Sequence, residues 1–225
     1  MWLISLQWRL KPLGKVYKVR RIKMKNYLML NGKQINLTEE QIAEIKQSLG
    51  VGNIRLSEVG EGNDFKIGEY EFILLEISGD TAAVILKDLL HKEKKFGKNN
   101  NYDGSEVDKL CIEFGEKIEA LVGKENLVEH TVDLTADNGL KCYGSIKRKM
   151  SLMTAQMYRK YVYTLNKYPI KLWWWLATAF SIAKHDDTTW VKCVPPHGYL
   201  SNYDYFNYFG VRPFCILKSN IFVSK

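Results

Sequence analysis

Four histidines, four cysteines and a few clustered carboxylates are the residues of this chain equipped to do chemistry. His185-Asp186-Asp187, followed by Cys193 and His197, offers nitrogen, oxygen and sulfur donors to a metal ion. Zinc sites use tighter paired spacings, and a polar loop explains the run more simply. Asp133, Asp137 and Asn138 place oxygen ligands on a loop, as calcium requires. They lack the regular alternation and closing Glu of an EF-hand, and turn-forming Asx side chains account for them. There is no G-x-S-x-G elbow, no Cys–His pair in a recognisable context, no P-loop and no G-x-G-x-x-G. Cys111 falls on an apolar helical stripe and Cys215 in an apolar run, positions that suit small buried thiols. With no C-x-x-C pair, the sparse spacing suits a reducing compartment. The expectation is a non-enzyme with no catalytic residue, no cofactor and no metal.

The remaining chemistry is recognition. Residues 199–209 hold six aromatics in eleven positions, interleaved with Ser, Asn and Asp. Tyr and Trp give large rigid contact area, and Ser and Asn give adaptable hydrogen bonds, which is the composition of binding loops. The candidate binding residues are Trp190, Tyr199, Asn202, Tyr203, Asp204, Tyr205, Asn207 and Tyr208. The same rings could instead roof the domain from inside. They lie in a loop-rich insert between two apolar runs, 173–178 and 210–217, both expected as buried strands. Strand alternation sends Trp173 and Trp175 one way and Trp174 the other, so all three are buried only if the strand is covered on both sides. Core packing explains them, and a ligand platform using one ring is the alternative. Lys147-Arg148-Lys149 is expected as a solvated edge, or as a contact for an anionic partner.

The elements that must position these residues are legible in part. Residues 27–37 spell a hairpin turning at Asn31-Gly32. Thr38 and Gln41 have the spacing of a capping box, Leu37 and Ile42 that of a hydrophobic staple, and Gly50 ends the helix they start. This appendage packs on its own body or serves a partner contact. Residues 51–68 are Gly- and Asn-rich and suggest a linker. Tyr70–Ser78 and Thr81–Lys87 favour strand and flank a Gly79-Asp80 turn, a hairpin whose continuous apolarity implies central strands. Lys94–Gly104 suggests loop. Val107, Leu110, Cys111, Phe114, Ile118 and Leu121 have helical spacing between Ser105 and Gly123. Residues 125–150 look irregular. Thr154 caps a further helix to about Leu165, ended by Pro169. This order is α+β and lacks the alternation of a parallel sheet.

Charge limits the partners. The chain of 225 residues carries a net +8, and residues 1–23 hold seven basic side chains and no acid. The rest has 26 basic against 25 acidic side chains, a poor general phosphate-binding surface. Direct nucleic-acid binding is expected only through the basic leader, which could also meet anionic lipid. The leader lacks the apolar run of a secretory signal, and Met24 resembles a second start, so 1–23 is expected to be dispensable to the fold. No run reaches the roughly 20 apolar residues that span a bilayer.

Trp174-Trp175-Leu176, Gly198 and Gly210-Val211-Arg212-Pro213 carry a resemblance. The chain resembles an uncharacterised family, common in prophages and gut-type Gram-positive bacteria, whose members end in a WWL…G…GVRP pattern. Phe72–Glu76, Val84–Lys87, the loop from Phe96-Gly97 to Asn99-Asn100, Asp133-Leu134, and Ser151-Leu152 with Thr154 also look like that family. The similarity covers residues 24–225. The family resembles the C-type-lectin-like fold shared by formylglycine-generating enzymes, phage tropism determinants and the variable proteins of diversity-generating retroelements. The resemblance implies a mixed sheet with two flanking helices and a ligand face near the C-terminal strands. It makes Arg212 a structural residue of the closing strand. The oxidases of that fold use a cysteine pair and copper, but Cys193 and Cys215 stand in no matching motif, so that activity is not carried over.

The fold expected is therefore an α+β, C-type-lectin-like domain over 61–225, preceded by the basic leader 1–23 and a hairpin–helix appendage with linker over 24–60. The function expected is a non-enzymatic, phage- or prophage-encoded binding module that engages a host protein complex or surface glycan through residues 180–209. The alternative is an intracellular inhibitor of a host defence complex such as a CRISPR effector. The implied setting is the bacterial cytoplasm or the virion, with no membrane span.

Overall fold

The computed structural model describes residues 27–30, 33–38, 41, 53–182 and 189–224. The chain divides into two compact units, 1–52 and 53–225. In the first, β1 (Tyr27–Leu30) pairs antiparallel with β2 (Lys33–Asn36), with Leu30 opposite Lys33. The capping box forms: Gln41 N donates to Thr38 Oγ1 at 3.2 Å, and Thr38 N donates to Gln41 Oε1 at 3.0 Å. The basic leader, the Asn31-Gly32 turn and the helix body to Gly50 lie outside the described residues.

The second unit is α+β, built mostly of antiparallel strands with two helices. It opens with β3 (Asn53–Arg55), a single 3-10 turn at Leu56–Glu58, and β4 (Asp64–Ile67). The predicted hairpin follows as β5 (Tyr70–Ser78) and β6 (Thr81–Leu86), then β7 (His91–Lys95). Helix α1 (Glu106–Val122) precedes β8 (Leu127–Val128), β9 (His130–Asp133), β10 (Ser145–Arg148) and β11 (Met150–Leu152). Helix α2 (Ala155–Leu165) leads to β12 (Trp174–Ala179), β13 (Trp190–Val194), β14 (Ser201–Asp204), β15 (Tyr208–Val211), β16 (Pro213–Lys218) and β17 (Phe222–Ser224).

The larger sheet runs β11-β16-β6-β5-β4-β17-β3, with β8 also on β16. The smaller runs β14-β13-β12-β15-β7, and its β12–β15 pair is parallel. Alternation along the strands splits the interior in two. Phe72, Leu74, Val84, Trp175 and Cys215 pack with Val107, Cys111, Phe114 and Ile118 of α1. Their neighbours Ile73, Leu75, Ile85, Trp174 and Phe214 pack with Ala155, Tyr158 and Leu165 of α2. Strands covered by a helix on each face must be apolar on both, which is why these runs are continuous rather than alternating.

Both helices start where the sequence says. Ser105 Oγ accepts from Asp108 N at 3.1 Å, and Thr154 Oγ1 from Met157 N at 3.2 Å. An N-cap of this kind contributes about 1 kcal/mol.

Three expectations are corrected. Of the stretch 51–68, the described residues 53–68 are not a linker, and residues 53–60 belong to the larger unit rather than to the appendage. Ile54 pairs with Val223 and Lys66 with Ser224, while Leu56 N donates to Ile221 O at 2.9 Å. The partner strand of β3 comes from the far end of the chain, so no local pattern announces it, while β4 also pairs with the adjacent β5. Lys94 and Lys95 are not loop but β7, a charged edge strand on β15, and Lys or Glu at an edge protects it from foreign strands. Residues 125–150 are not irregular, since β9 and β10 pair with Val132 opposite Ile146.

Candidate functional site

The predicted binding stretch is not one loop face. It forms β14 and β15, and strand geometry divides its side chains. In the β13–β14 ladder Trp190 faces Asp204, Val191 faces Tyr203, and Lys192 faces Asn202. Trp190, Lys192, Asn202 and Asp204 therefore share one face and Tyr203 occupies the other. On the first face Trp190 packs 5.5 Å from Phe180, and buried Lys192 reaches Asp137 at 3.1 Å. These candidates are half-buried rather than displayed.

Tyr203 meets a different surface. Its ring lies 5.8 Å from Trp173 and 5.4 Å from Phe209, both edge to face. Phe209 stacks on Trp173 at 5.3 Å and lies 4.5 Å from Trp175. Trp175 continues the chain of rings to buried Phe96 at 5.5 Å and donates from Nε1 to Lys94 O at 2.9 Å. A rigid aromatic column thus runs from the core to the surface. Phe206 lies edge-on to half-buried Tyr205 at 5.5 Å, in the turn that follows Tyr203. Phe96 N donates to Tyr205 O at 3.1 Å, which fixes that turn to the core. Asn207 serves the same turn, donating from N to Asp204 O at 3.0 Å.

Four rings of the region remain largely in water: Tyr199 (56% exposed), Tyr203 (44%), Phe206 (50%) and Tyr208 (64%). Tyr208 adjoins Phe209 on β15 and so points to the opposite face. Tyr199 instead stacks on His197, with centroids 6.3 Å apart. The structure therefore brings Tyr203 together with Trp173 and Phe209, and sets Tyr205 and Phe206 as a separate ring pair in the turn that follows. It separates from them Trp190, Asn202, Asp204, Tyr199 and Tyr208. Trp173 is the residue that sequence reasoning left in the core. Its alternation with Trp174, in step with Trp175, already placed it on the ring column's side.

Groups with possible reactivity are held otherwise. His130 Nε2 lies 2.9 Å from Ser151 Oγ, both residues buried, with His130 edge-on to Phe214 at 5.4 Å. A nucleophile sealed in this way meets no substrate. Burial pushes His130 down to about 4, with the Lys147 charge acting in the same direction. Unfolded histidine titrates near 6.5, so below that pH the unfolded chain takes a proton that the fold refuses. Stability is then full above pH 6.5 and falls by roughly 3 kcal/mol as the pH drops to about 4. The replacement His130→Gln should flatten this part of the pH profile in chemical denaturation. An unchanged slope between pH 6.5 and 5 would contradict the assignment.

Cys111, Cys193 and Cys215 are buried and Cys142 is exposed, all as free thiols. Burial pushes Cys111 and Cys193 up to about 12 and Cys215 up as well, so none of the three is poised as a thiolate. Cys193 and Cys215 stand in different sheets. Asp133 and Asn138 make the expected Asx turns, accepting from Thr135 N at 2.9 Å and Leu140 N at 3.2 Å. Asp137 instead pairs with Arg159 at 2.7 Å and Lys192 at 3.1 Å. Among the described residues no group of three or more His, Cys, Asp or Glu could hold a metal ion. His185, Asp186 and Asp187 lie outside those residues.

In the basic run 147–149 Lys147 is exposed, as expected, but Arg148 and Lys149 are not simply solvated. Arg148 grips buried Asp108 with two bonds, Nε to Oδ1 at 2.9 Å and Nη2 to Oδ2 at 2.7 Å, and also reaches Asp103. Lys149 pairs with Glu119. Among the described residues, no helix is long and apolar enough to cross a membrane.

Comparison with protein-family models, curated proteins and solved structures finds no match.

Proposed function

We propose that this chain is a non-enzymatic binding module that engages a protein or glycan partner through the aromatic face of Trp173, Tyr203 and Phe209, with the exposed Phe206 of the following turn. The observation that carries this reading is the ring column from buried Phe96 and Trp175 to half-exposed Phe209 and exposed Tyr203. Rings held by a core lose little conformational freedom on contact, so their apolar area converts to affinity with small ordering loss. Aromatic anchors of this kind concentrate binding energy in interfaces. The resemblance of residues 24–225 to a prophage-associated, C-type-lectin-like family supports a phage or prophage origin and a host partner. The burial of His130, Ser151 and three thiols supports the absence of a catalytic role.

The test is a pull-down from Gram-positive host lysate, run beside a glycan array. The double variant Tyr203→Ala/Phe206→Ala should lose binding by about tenfold or more, the usual effect of removing an aromatic anchor. Tyr163→Ala is the control, because that ring stands 87% exposed on α2 and contributes to no part of the column. Undiminished capture by the double variant would end the proposal. Retention of a defined protein or of a defined glycan separates the two partner classes.

A further inference from the structure

A cavity of about 200 Å³ opens between α2, the segment 168–170 and the turn 195–198. Arg212 and Trp174 line it, with Tyr158, Asn166, Ile170 and His197. Arg212 is 1% exposed, a cation taken almost wholly out of water. Its Nε donates to Leu86 O at 2.9 Å and its Nη2 to Lys87 O at 2.8 Å. The guanidinium lies 5.4 Å over the Trp174 ring. Carbonyls and a ring face satisfy donors but leave the unit charge uncompensated. Asp88 acts on it only through space, its Oδ1 being taken by Leu89 N at 2.7 Å. Among the described residues no carboxylate stands within ion-pair distance of Arg212.

Burial pushes Arg212 down to about 10, the direction expected of a cation without a close counter-ion. Its third nitrogen, Nη1, takes part in neither bond. The sealed, unpartnered side-chain polar atoms among the described residues are His130 Nδ1 and Ser181 Oγ. Nη1 is not one of them, so it keeps some accessible surface, and Arg212 lines the cavity. A buried guanidinium donor is matched by an oxyanion, most closely by a carboxylate. Leu165, Ile170, Trp174 and Val194 give the lining an apolar part beside the polar Tyr158, Asn166 and His197. Inorganic phosphate would leave those walls without contact.

The architecture holds the space open. Tyr158 Oη donates to Gly198 O at 2.7 Å, tying α2 to the turn. Gly198 has φ +72°, and a Cβ there would stand 2.9 Å from Asn166 Oδ1. The left-handed backbone therefore favours glycine at this position.

We propose that this cavity binds a small organic carboxylate, with its oxygens on Arg212 Nη1 and its apolar body against Trp174 and Ile170. This assignment concerns a site separate from the aromatic column, and it stands or falls independently of the partner that column engages.

The test is an NMR titration of the full chain at constant ionic strength with three probes: benzoate, its uncharged counterpart benzyl alcohol, and inorganic phosphate. Benzoate should saturate with a Kd on the order of 1 mM or tighter, and the other two should fall short of it by about tenfold or more. Equal binding of benzyl alcohol would remove the role of Arg212, and equal binding of phosphate would remove the apolar body. No saturation by benzoate would overturn the site altogether. Arg212→Gln should abolish the benzoate response while leaving weak alcohol binding. Should that variant not fold, Asn166→Trp decides, because Asn166 is an exposed wall residue whose enlargement fills the cavity. It should keep the wild-type Tm and lose benzoate, and benzoate binding that survives it would place the ligand elsewhere.

Discussion

Replacing Arg148 by Met should destabilise the larger unit by about 3–5 kcal/mol, the cost of leaving a buried charge without its partner. The stranded group is Asp108, whose side chain is 0% exposed. In the native protein its two oxygens accept from Arg148 Nε and Nη2 and from Gly104 N at 3.0 Å. Asp108 stands in the first turn of α1 and Arg148 ends β10, so the pair fastens the helix to the β9–β10 ladder. At roughly 2–4 °C per kcal/mol for a unit of this size, the loss should appear as a fall in Tm on the order of 10 °C. The double variant Arg148→Met/Asp108→Leu should recover much of it, because an apolar pair of similar volume often replaces a buried ion pair without net cost. Recovery of nothing, or a single-variant loss below about 1 kcal/mol as for a surface pair, would contradict the buried-pair account.

A comparable loss is expected at Trp175. Trp175→Ala should cost about 3–5 kcal/mol, the range for deleting a large buried aromatic. The ring touches Phe96 and Phe209, and its Nε1 bond to Lys94 O ties β12 to β7 across the intervening β15. Trp175→Phe keeps most of the volume but leaves the Lys94 carbonyl unbonded, for about 1–3 kcal/mol. Partner binding should fall in both variants, since Phe209 and Tyr203 lose their support. Chemical denaturation followed by near-ultraviolet circular dichroism measures both effects. Full binding by a folded Trp175→Ala protein would show that the face does not depend on the column beneath it.

The legible parts of the fold were those written locally. Ser105 with Gly123, and Thr154 with the residues before Pro169, mark both helices because caps and breakers act over a few residues. The β5–β6 hairpin was visible in its branched, apolar arms and the Gly79-Asp80 turn. What escaped includes strands whose partners lie far along the chain. β3 depends on Phe222–Ser224, and β7 depends on Tyr208–Val211, so their sequences carry turn-like or charged texture with no strand signal, whereas β4 pairs mainly with the adjacent β5. The candidate site was legible as a composition but not as a surface. Trp190 and Tyr203 sit in one cluster of aromatics in the sequence, and pleating sends them to opposite faces. Arg148 was misread because a basic triplet looks solvated until Asp108, forty positions earlier, is found beneath it.

Gly210-Val211-Arg212-Pro213 has a mechanical consequence. β15 belongs to the smaller sheet and β16 to the larger, with Arg212 alone between them. Gly210 N bonds Trp173 O on one side, and Arg212 binds the carbonyls that follow β6 on the other. A Cβ on Gly210 would lie 2.5 Å from Leu89, so the crossing has no slack. Neither sheet can open without pulling on its neighbour through this splice. Slowly exchanging amides of β6 and β12 should therefore lose protection together along a denaturant series, as one unfolding unit rather than two.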